Sequence, residues 1–234
     1  MNRRSVVLIA VLGTIIIVES IILLTTLFNR NSSQNESIRK YLMNSVEISI
    51  VNDEKKSISS GTAFFVDNEN IITNLHVIEP VIETSNKLMG RTSFEEDYFE
   101  MTIVSLSDKY DLAVIRFIDR TYDVLGVEMD SNVRINYGDE ILSIGNTFGY
   151  GLNVLIGNIS NPRKVIQTSG KTIDVIQLNI DIEIGNSGGP VFTRDGKLVG
   201  IATFRILDQY GEKLLGMNFA LPLSSIIDFL NMER

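Results

Sequence analysis

From about residue 44 to the end, the chain's apolar residues come in short, β-branched bursts. "VEISIV", "GTAFFV", "NIITNLHVI", "DLAVIRFI", "EILSIG", "VIQLNI" and "KLVGIATF" follow one another, separated by turn formers such as "DNEN", "YGD", "NP" and "RDGK". Runs this short suit strands better than amphipathic helices, and such regular punctuation predicts a β-sandwich or barrel, not a parallel sheet layered with helices. One segment breaks the pattern: "PLSSIIDFLNME" reads as a C-terminal helix. Ser224 or Ser225 would cap it, and Ile226, Ile227, Phe229 and Leu230 would give it an apolar side. Apolar residues make up 44% of the chain. About 190 residues of this composition can bury the cores of two small barrels.

The N-terminus is a different object. Residues 5–28, "SVVLIAVLGTIIIVESIILLTTLF", form an apolar run interrupted by one charge, Glu19. At about 1.5 Å per residue such a helix spans a bilayer. Sixteen of its residues are Val, Ile, Leu or Phe. Their summed preference for lipid, at about −0.3 to −0.6 kcal/mol each, outweighs the roughly 2.5 to 3.5 kcal/mol cost of one central acid. Arg3 and Arg4 precede the run and predict a cytoplasmic tip, with the rest of the chain outside. A cleaved signal peptide would have a shorter apolar region followed by a small-x-small site, and none stands out here. The expected organisation is a cytoplasmic tip and membrane anchor over 1–28, a polar linker over 29–43 and a β-rich domain over 44–234.

Charge and composition exclude several functions. The net charge of −8 argues against a nucleic-acid partner, because such binding rests on basic surfaces. The absence of cysteine excludes disulfides and thiolate metal sites, and a single histidine, His76, excludes a histidine-rich metal centre. Any mechanism that needs an imidazole must use His76.

"EIGNSGGPVF", residues 183–192, sets Ser187 among Gly185, Gly188 and Gly189. It fits G-x-S-x-G, the strand-to-helix nucleophile turn of α/β-hydrolases, and also G-x-S-G-G-P, the form found in chymotrypsin-like peptidases. Chain order separates them. The hydrolase base follows its nucleophile, whereas His76 lies far ahead of Ser187, as in the order His, Asp, Ser. A serine hydroxyl is a weak nucleophile and needs an adjacent base, for which imidazole is suited by its pKa near neutrality. A carboxylate then fixes the ring's tautomer, and backbone N–H groups, here those of Gly185 and Ser187, would stabilise the oxyanion. Asp108, Asp111, Asp119 and Asp123 all lie in the interval where the acid belongs. Asp111 opens the apolar strand "DLAVIRF", where a carboxylate can be held at a strand end; the others lie in polar turns.

With these residues in hand, "TNLHV", "DLAVIRF", "GDEILSIGNTFG" and "IGNSGGPVFTRDGKLVGI" together resemble the protease domain of the HtrA/Deg family of trypsin-like serine peptidases. "MNFALPLSSI" resembles the segment that closes it. The likeness runs over about residues 44–232. It implies two six-stranded antiparallel β-barrels with the active site between them, His76 as general base, Asp111 as its orienting acid and Ser187 as nucleophile. It also implies a polypeptide substrate, no metal or organic cofactor, a bacterial cell-membrane location with the catalytic domain outside the cytoplasm, and homotrimers. "SIRKYLMNSVEISI" is the candidate trimer contact. Three departures stand out. The 234 residues leave no room for the PDZ domain with which family members usually continue. Asn186 replaces the aspartate by which digestive trypsins capture a new N-terminus, so no such activation is expected. The acidic stretch "ETSNKLMGRTSFEEDYFE" matches nothing in the family and reads as a solvated loop.

The specificity pocket is assigned by position. Asp181 lies six residues before Ser187, where trypsin keeps the carboxylate that favours Lys or Arg, and Thr203 and Arg205 fall on the facing strand. Glu183 and Arg205 are close enough in the pattern to neutralise Asp181, and family members cut after small aliphatic residues, so both preferences stand as expectations. The competing function is a catalytically silent or conditionally activated protein that binds or senses through a protease scaffold.

Overall fold

A computed structural model describes residues 16–26, 36–168, 171–207 and 213–232. The chain divides into two compact units, residues 1–40 and 41–234. In the first unit residues 16–26 are helical, with Ile16, Ile17, Ile21, Leu23 and Leu24 exposed. The hydroxyls of Ser20, Thr25 and Thr26 donate to the carbonyls of Ile16, Ile21 and Ile22 one turn earlier. Their polarity is thereby satisfied within the helix. The span read over 5–28 lies partly outside the described residues, as do residues 29–35 of the linker. No helix among the described residues is long and apolar enough to cross a membrane.

The second unit holds two closed antiparallel barrels. β1 (Ser45–Val51), β2 (Ser57–Phe65), β3 (Ile71–Asn74), β4 (Lys87–Thr92), β5 (Phe99–Ser107) and β6 (Leu112–Phe117) close in the order β1-β2-β3-β6-β5-β4. β7 (Glu140–Gly145), β8 (Asn153–Thr168), β9 (Lys171–Asn179), β10 (Pro190–Thr193), β11 (Leu198–Leu207) and β12 (Lys213–Pro222) close in the order β10-β11-β12-β9-β8-β7. Alternation builds each core: Val46, Ile48 and Ile50 of β1 meet Phe65, Ile71 and Ile115 in the first barrel. Ile141, Ile159, Leu178, Val191 and Ala220 fill the second. A one-turn helix, α1 (Leu75–Ile78), follows β3, and α2 (Leu223–Met232) ends the described chain.

Four expectations change in detail. "NIITNLHVI" is not one strand: β3 stops at Asn74, and His76 sits in α1. The acidic stretch over 83–100 is not simply a solvated loop, because it contains β4. There Leu88, Gly90 and Thr92 turn inward, and the charged residues that hid the period-2 pattern face outward. α2 begins at Leu223, so Ser224 and Ser225 lie in its first turn, with Leu223, Ile226 and Phe229 buried. Residues 36–43 are helical where a linker was expected, and Tyr41, at the start of the barrel unit, stacks on Phe192 of β10 with ring centroids 4.2 Å apart. The segment suggested for self-association, 37–50, runs into β1, whose residues Ser45–Ile50 are buried.

Candidate active site

His76 is held by the end of β3 and the start of β6. The strand pair Asn74↔Leu112 brings the Leu75 N–H and the Asn74 amide onto the Asp111 carbonyl, each at 3.0 Å. Asp111 takes a positive φ of 53°, a left-handed conformation that aspartate tolerates better than most side chains. This turns its carboxylate back over α1. Oδ1 accepts the His76 backbone N–H at 3.0 Å, and Oδ2 lies 2.7 Å from His76 Nδ1. Thr203 Oγ1 donates to the same Oδ2 at 3.2 Å. A carboxylate that accepts from three sides fixes the proton on Nδ1 and leaves Nε2 free as a base. Asp108, Asp119 and Asp123 are exposed, whereas the Asp111 carboxylate lies 2.7 Å from the ring nitrogen, so Asp111 is singled out by geometry as well as position.

Ser187 comes from the loop before β10. Its hydroxyl donates to the Thr203 carbonyl at 2.7 Å. Thr203, 1% exposed, therefore links the serine to the acid through its two oxygens, at consecutive hydrogen bonds. The sequence reading put Thr203 in the substrate pocket; the structure puts its side chain behind the carboxylate. A buried threonine on a strand gives no sequence signal for that role, because the contact joins residues 92 apart.

The glycines explain the loop's course. Glu183 to Asn186 form a turn closed by Asn186 N–H donating to Glu183 O at 3.0 Å, with Gly185 third at φ 92°. A type II turn requires this conformation at its third residue, where a Cβ would also strike the Asn146 carbonyl. Gly188, at φ 86°, packs so closely on the first barrel that a Cβ would collide with the Thr62 carbonyl and the Thr73 hydroxyl. Within the turn, the Ile184 carbonyl accepts from Phe148 N–H at 2.8 Å. C=O and N–H of a trans peptide point in opposite directions, so the Gly185 N–H is directed away from Phe148. Neither Gly185 N–H nor Ser187 N–H donates to backbone among the described residues. Two donors left open on one loop can receive a developing oxyanion.

Asn186 is fully buried. Its amide oxygen accepts from Thr147 Oγ1 at 2.8 Å, and its nitrogen donates to the Asp181 carbonyl at 3.4 Å. Asp181 itself is exposed, so its carboxylate is not a buried counter-charge at the foot of a pocket. Arg205 is ion-paired with Glu183 and donates to Ile182 O at 3.0 Å. The position-based pocket is thus split: Thr203 turns to the triad, Arg205 is engaged with Glu183, and Asp181 faces solvent.

Comparison with known proteins agrees with this architecture. The family model of the trypsin-like peptidase domain matches residues 61–201. A protein named probable periplasmic serine endoprotease DegP-like from Hahella chejuensis is 29% identical over 177 residues, covering 75% of this chain and 36% of the relative. The corresponding protein of Rickettsia prowazekii is 34% identical over 171 residues, covering 71% and 32%. Serine endoprotease DegS of Haemophilus influenzae is 30% identical over 181 residues, covering 76% and 51%. The chain thus spans about a third to a half of these relatives' lengths. An inactive mutant form of Rv3671c from M. tuberculosis H37Rv superposes with a TM-score of 0.68 at 18% identity, over 84% of this chain and 89% of the other, a likeness of fold. The chain belongs to the trypsin-like peptidase family and is HtrA/Deg-like within it.

Proposed function

We propose that this protein is a serine endopeptidase that cuts extracytoplasmic polypeptides through His76, Asp111 and Ser187. The observation that carries the reading is the Asp111 carboxylate, which accepts both the His76 backbone N–H and Nδ1 while Thr203 ties it to Ser187. In the reaction Ser187 Oγ leaves the Thr203 carbonyl, gives its proton to His76 Nε2 and attacks the scissile carbonyl carbon. The negative oxygen of the tetrahedral adduct is received by the N–H groups of Gly185 and Ser187. The protonated imidazole then donates to the leaving amine, and an acyl-enzyme remains on Ser187. Water, deprotonated by the same ring, hydrolyses it. No step calls for a metal or cofactor.

With Asp181 exposed and Arg205 held by Glu183, the preferred residue before the cut is small and aliphatic, not basic. The N-terminal apolar run acts as an anchor. Its described part supports this, because it exposes apolar side chains and satisfies its hydroxyls internally. The printed names of the DegP-like relatives place those proteins in the periplasm, which fits a catalytic domain beyond the membrane.

The test uses residues 36–234 with and without Ser187→Ala, a denatured unstructured protein as substrate and a fluorophosphonate probe. The parent is expected to be labelled and to cleave. The alanine variant is expected to lose about 10⁴-fold or more in kcat, since the serine acts as part of a unit. Fragment ends after Val, Ala or Ile support the aliphatic preference, and ends after Lys or Arg overturn it. A parent that is neither labelled nor active overturns the endopeptidase reading in favour of a silent binding scaffold.

A further inference from the structure

Thr62, on β2 of the first barrel, is fully buried beside the oxyanion turn of the second. Its N–H donates to Ser187 O at 2.9 Å. Its Oγ1 donates to Gly185 O at 2.6 Å and accepts from Asn146 N–H at 2.8 Å. Its carbonyl accepts from Thr73 Oγ1 at 2.7 Å. All three polar groups of one residue are used, and three of the four bonds cross to the second barrel.

Gly185 is the position where this matters. Lacking a Cβ, it lets the peptide planes on either side rotate readily. The plane before it is held by Phe148 N–H on Ile184 O, and the plane after it is held by Thr62 Oγ1 on Gly185 O. The two anchors together set the angles at Gly185 and with them the direction of its N–H. The Thr62 backbone bond to Ser187 O fixes the far side of the second donor. We infer that Thr62 is a positioning residue for peptide hydrolysis: the first barrel uses its hydroxyl and N–H to hold the oxyanion turn of the second barrel in its donating conformation. This inference rests on the endopeptidase reading above.

The chemistry specifies the substitution. Thr62→Val keeps the shape but leaves the Gly185 carbonyl and the Asn146 N–H without their partner in a buried place, which favours rotation of the turn. Catalysis is affected only through transition-state charge, so kcat is expected to fall about 10- to 100-fold while KM stays within about 3-fold. Thr62→Ser restores the hydroxyl and is expected to recover most of kcat. A peptide aldehyde, which forms a charged tetrahedral adduct on Ser187, should lose affinity by a factor similar to the loss in kcat. The amide of the same peptide should bind as it does to the parent. A purely structural role would lower the melting temperature without separating aldehyde from amide.

The experiment measures kcat, KM, aldehyde and amide binding and melting temperature for the parent, Thr62→Val, Thr62→Ala, Thr62→Ser and Ser187→Ala. If valine does not fold, alanine removes the same hydroxyl and carries the same expectation. An active parent with folded valine or alanine variants of equal kcat overturns the inference alone. So does a serine variant as impaired as valine, or equal losses for aldehyde and amide. A parent as silent as Ser187→Ala overturns the endopeptidase reading and this inference with it.

Discussion

Asn186 is the residue at which this site departs most from a zymogen. In digestive trypsins an aspartate there needs an ammonium partner, and the loop orders when that partner arrives. Here the side chain is a neutral amide that accepts from Thr147 and donates to the Asp181 carbonyl, in a fully buried place. Asn186→Asp would put a carboxylate oxygen against that carbonyl and leave a buried charge without a cation, at a cost of about 3 kcal/mol. The expected outcome is a lower melting temperature and a loss of kcat, both relieved at acid pH when the carboxyl takes a proton. A thermal melt followed by a rate measurement across pH checks both. At this scale the sequence was highly legible: a lone histidine, a strand-opening aspartate and a glycine-flanked serine are local signals. Thr203 and Thr62 were not legible in their roles, because a buried threonine on a strand looks the same whatever its hydroxyl touches 92 or 123 residues away.

At the scale of elements, β4 and the loop after it show how charge can conceal a strand. Glu47 is buried on β1, and its Oε2 accepts from Arg91 Nε and Nη2 and from the Tyr98 hydroxyl at 2.9 to 3.2 Å. Glu95 in turn holds the Thr92 N–H, the Tyr122 hydroxyl and Arg120. Of the acids that made this stretch look solvated, Glu95 fastens it to the barrel, while Glu83, Glu96, Asp97 and Glu100 are exposed. Both tyrosines pay for this position in their titration. Burial, reinforced by the negative charge of Glu47, pushes the Tyr98 hydroxyl up to about 12. Burial also raises Tyr122 to about 12, with Glu95 adding to the shift and Arg120 opposing it. In the unfolded chain both ionise near 10. Between about 10 and 12 the unfolded state has released protons that the folded state keeps, so stability is complete below pH 10 and falls as pH rises through that window. Alkaline titration should show two phenolates appearing late, together with loss of near-ultraviolet dichroism. In Tyr98→Phe the ionisation seen before unfolding should be unchanged, and the pH of unfolding should shift upward.

At the scale of the whole molecule, all-β barrels were legible from run length and punctuation, and the closing helix from its apolar spacing. Their closure into two six-stranded barrels was legible only through the family resemblance, because pairing such as β1 with β4 is a non-local choice that no window of sequence encodes. The part played by Tyr41 was not legible. The sequence put it in a linker, but it is 8% exposed and stacks on Phe192, so the chain entering the first barrel packs against a strand of the second. Tyr41→Ala is expected to cost about 3 kcal/mol. Chemical denaturation should show a lower midpoint, with kcat unchanged at temperatures where the variant remains folded.

The division of the site between barrels also has a consequence in time. His76 and Asp111 belong to the first barrel, while Ser187 and Thr203 come from the second, which follows it in the chain. A ribosome releases the base and acid long before the nucleophile, and Thr203 is not in place until β11 can pair with β12. A chain whose first barrel alone is finished therefore carries an inert imidazole–carboxylate pair, and the nucleophile joins it only once the second barrel has been delivered and has closed.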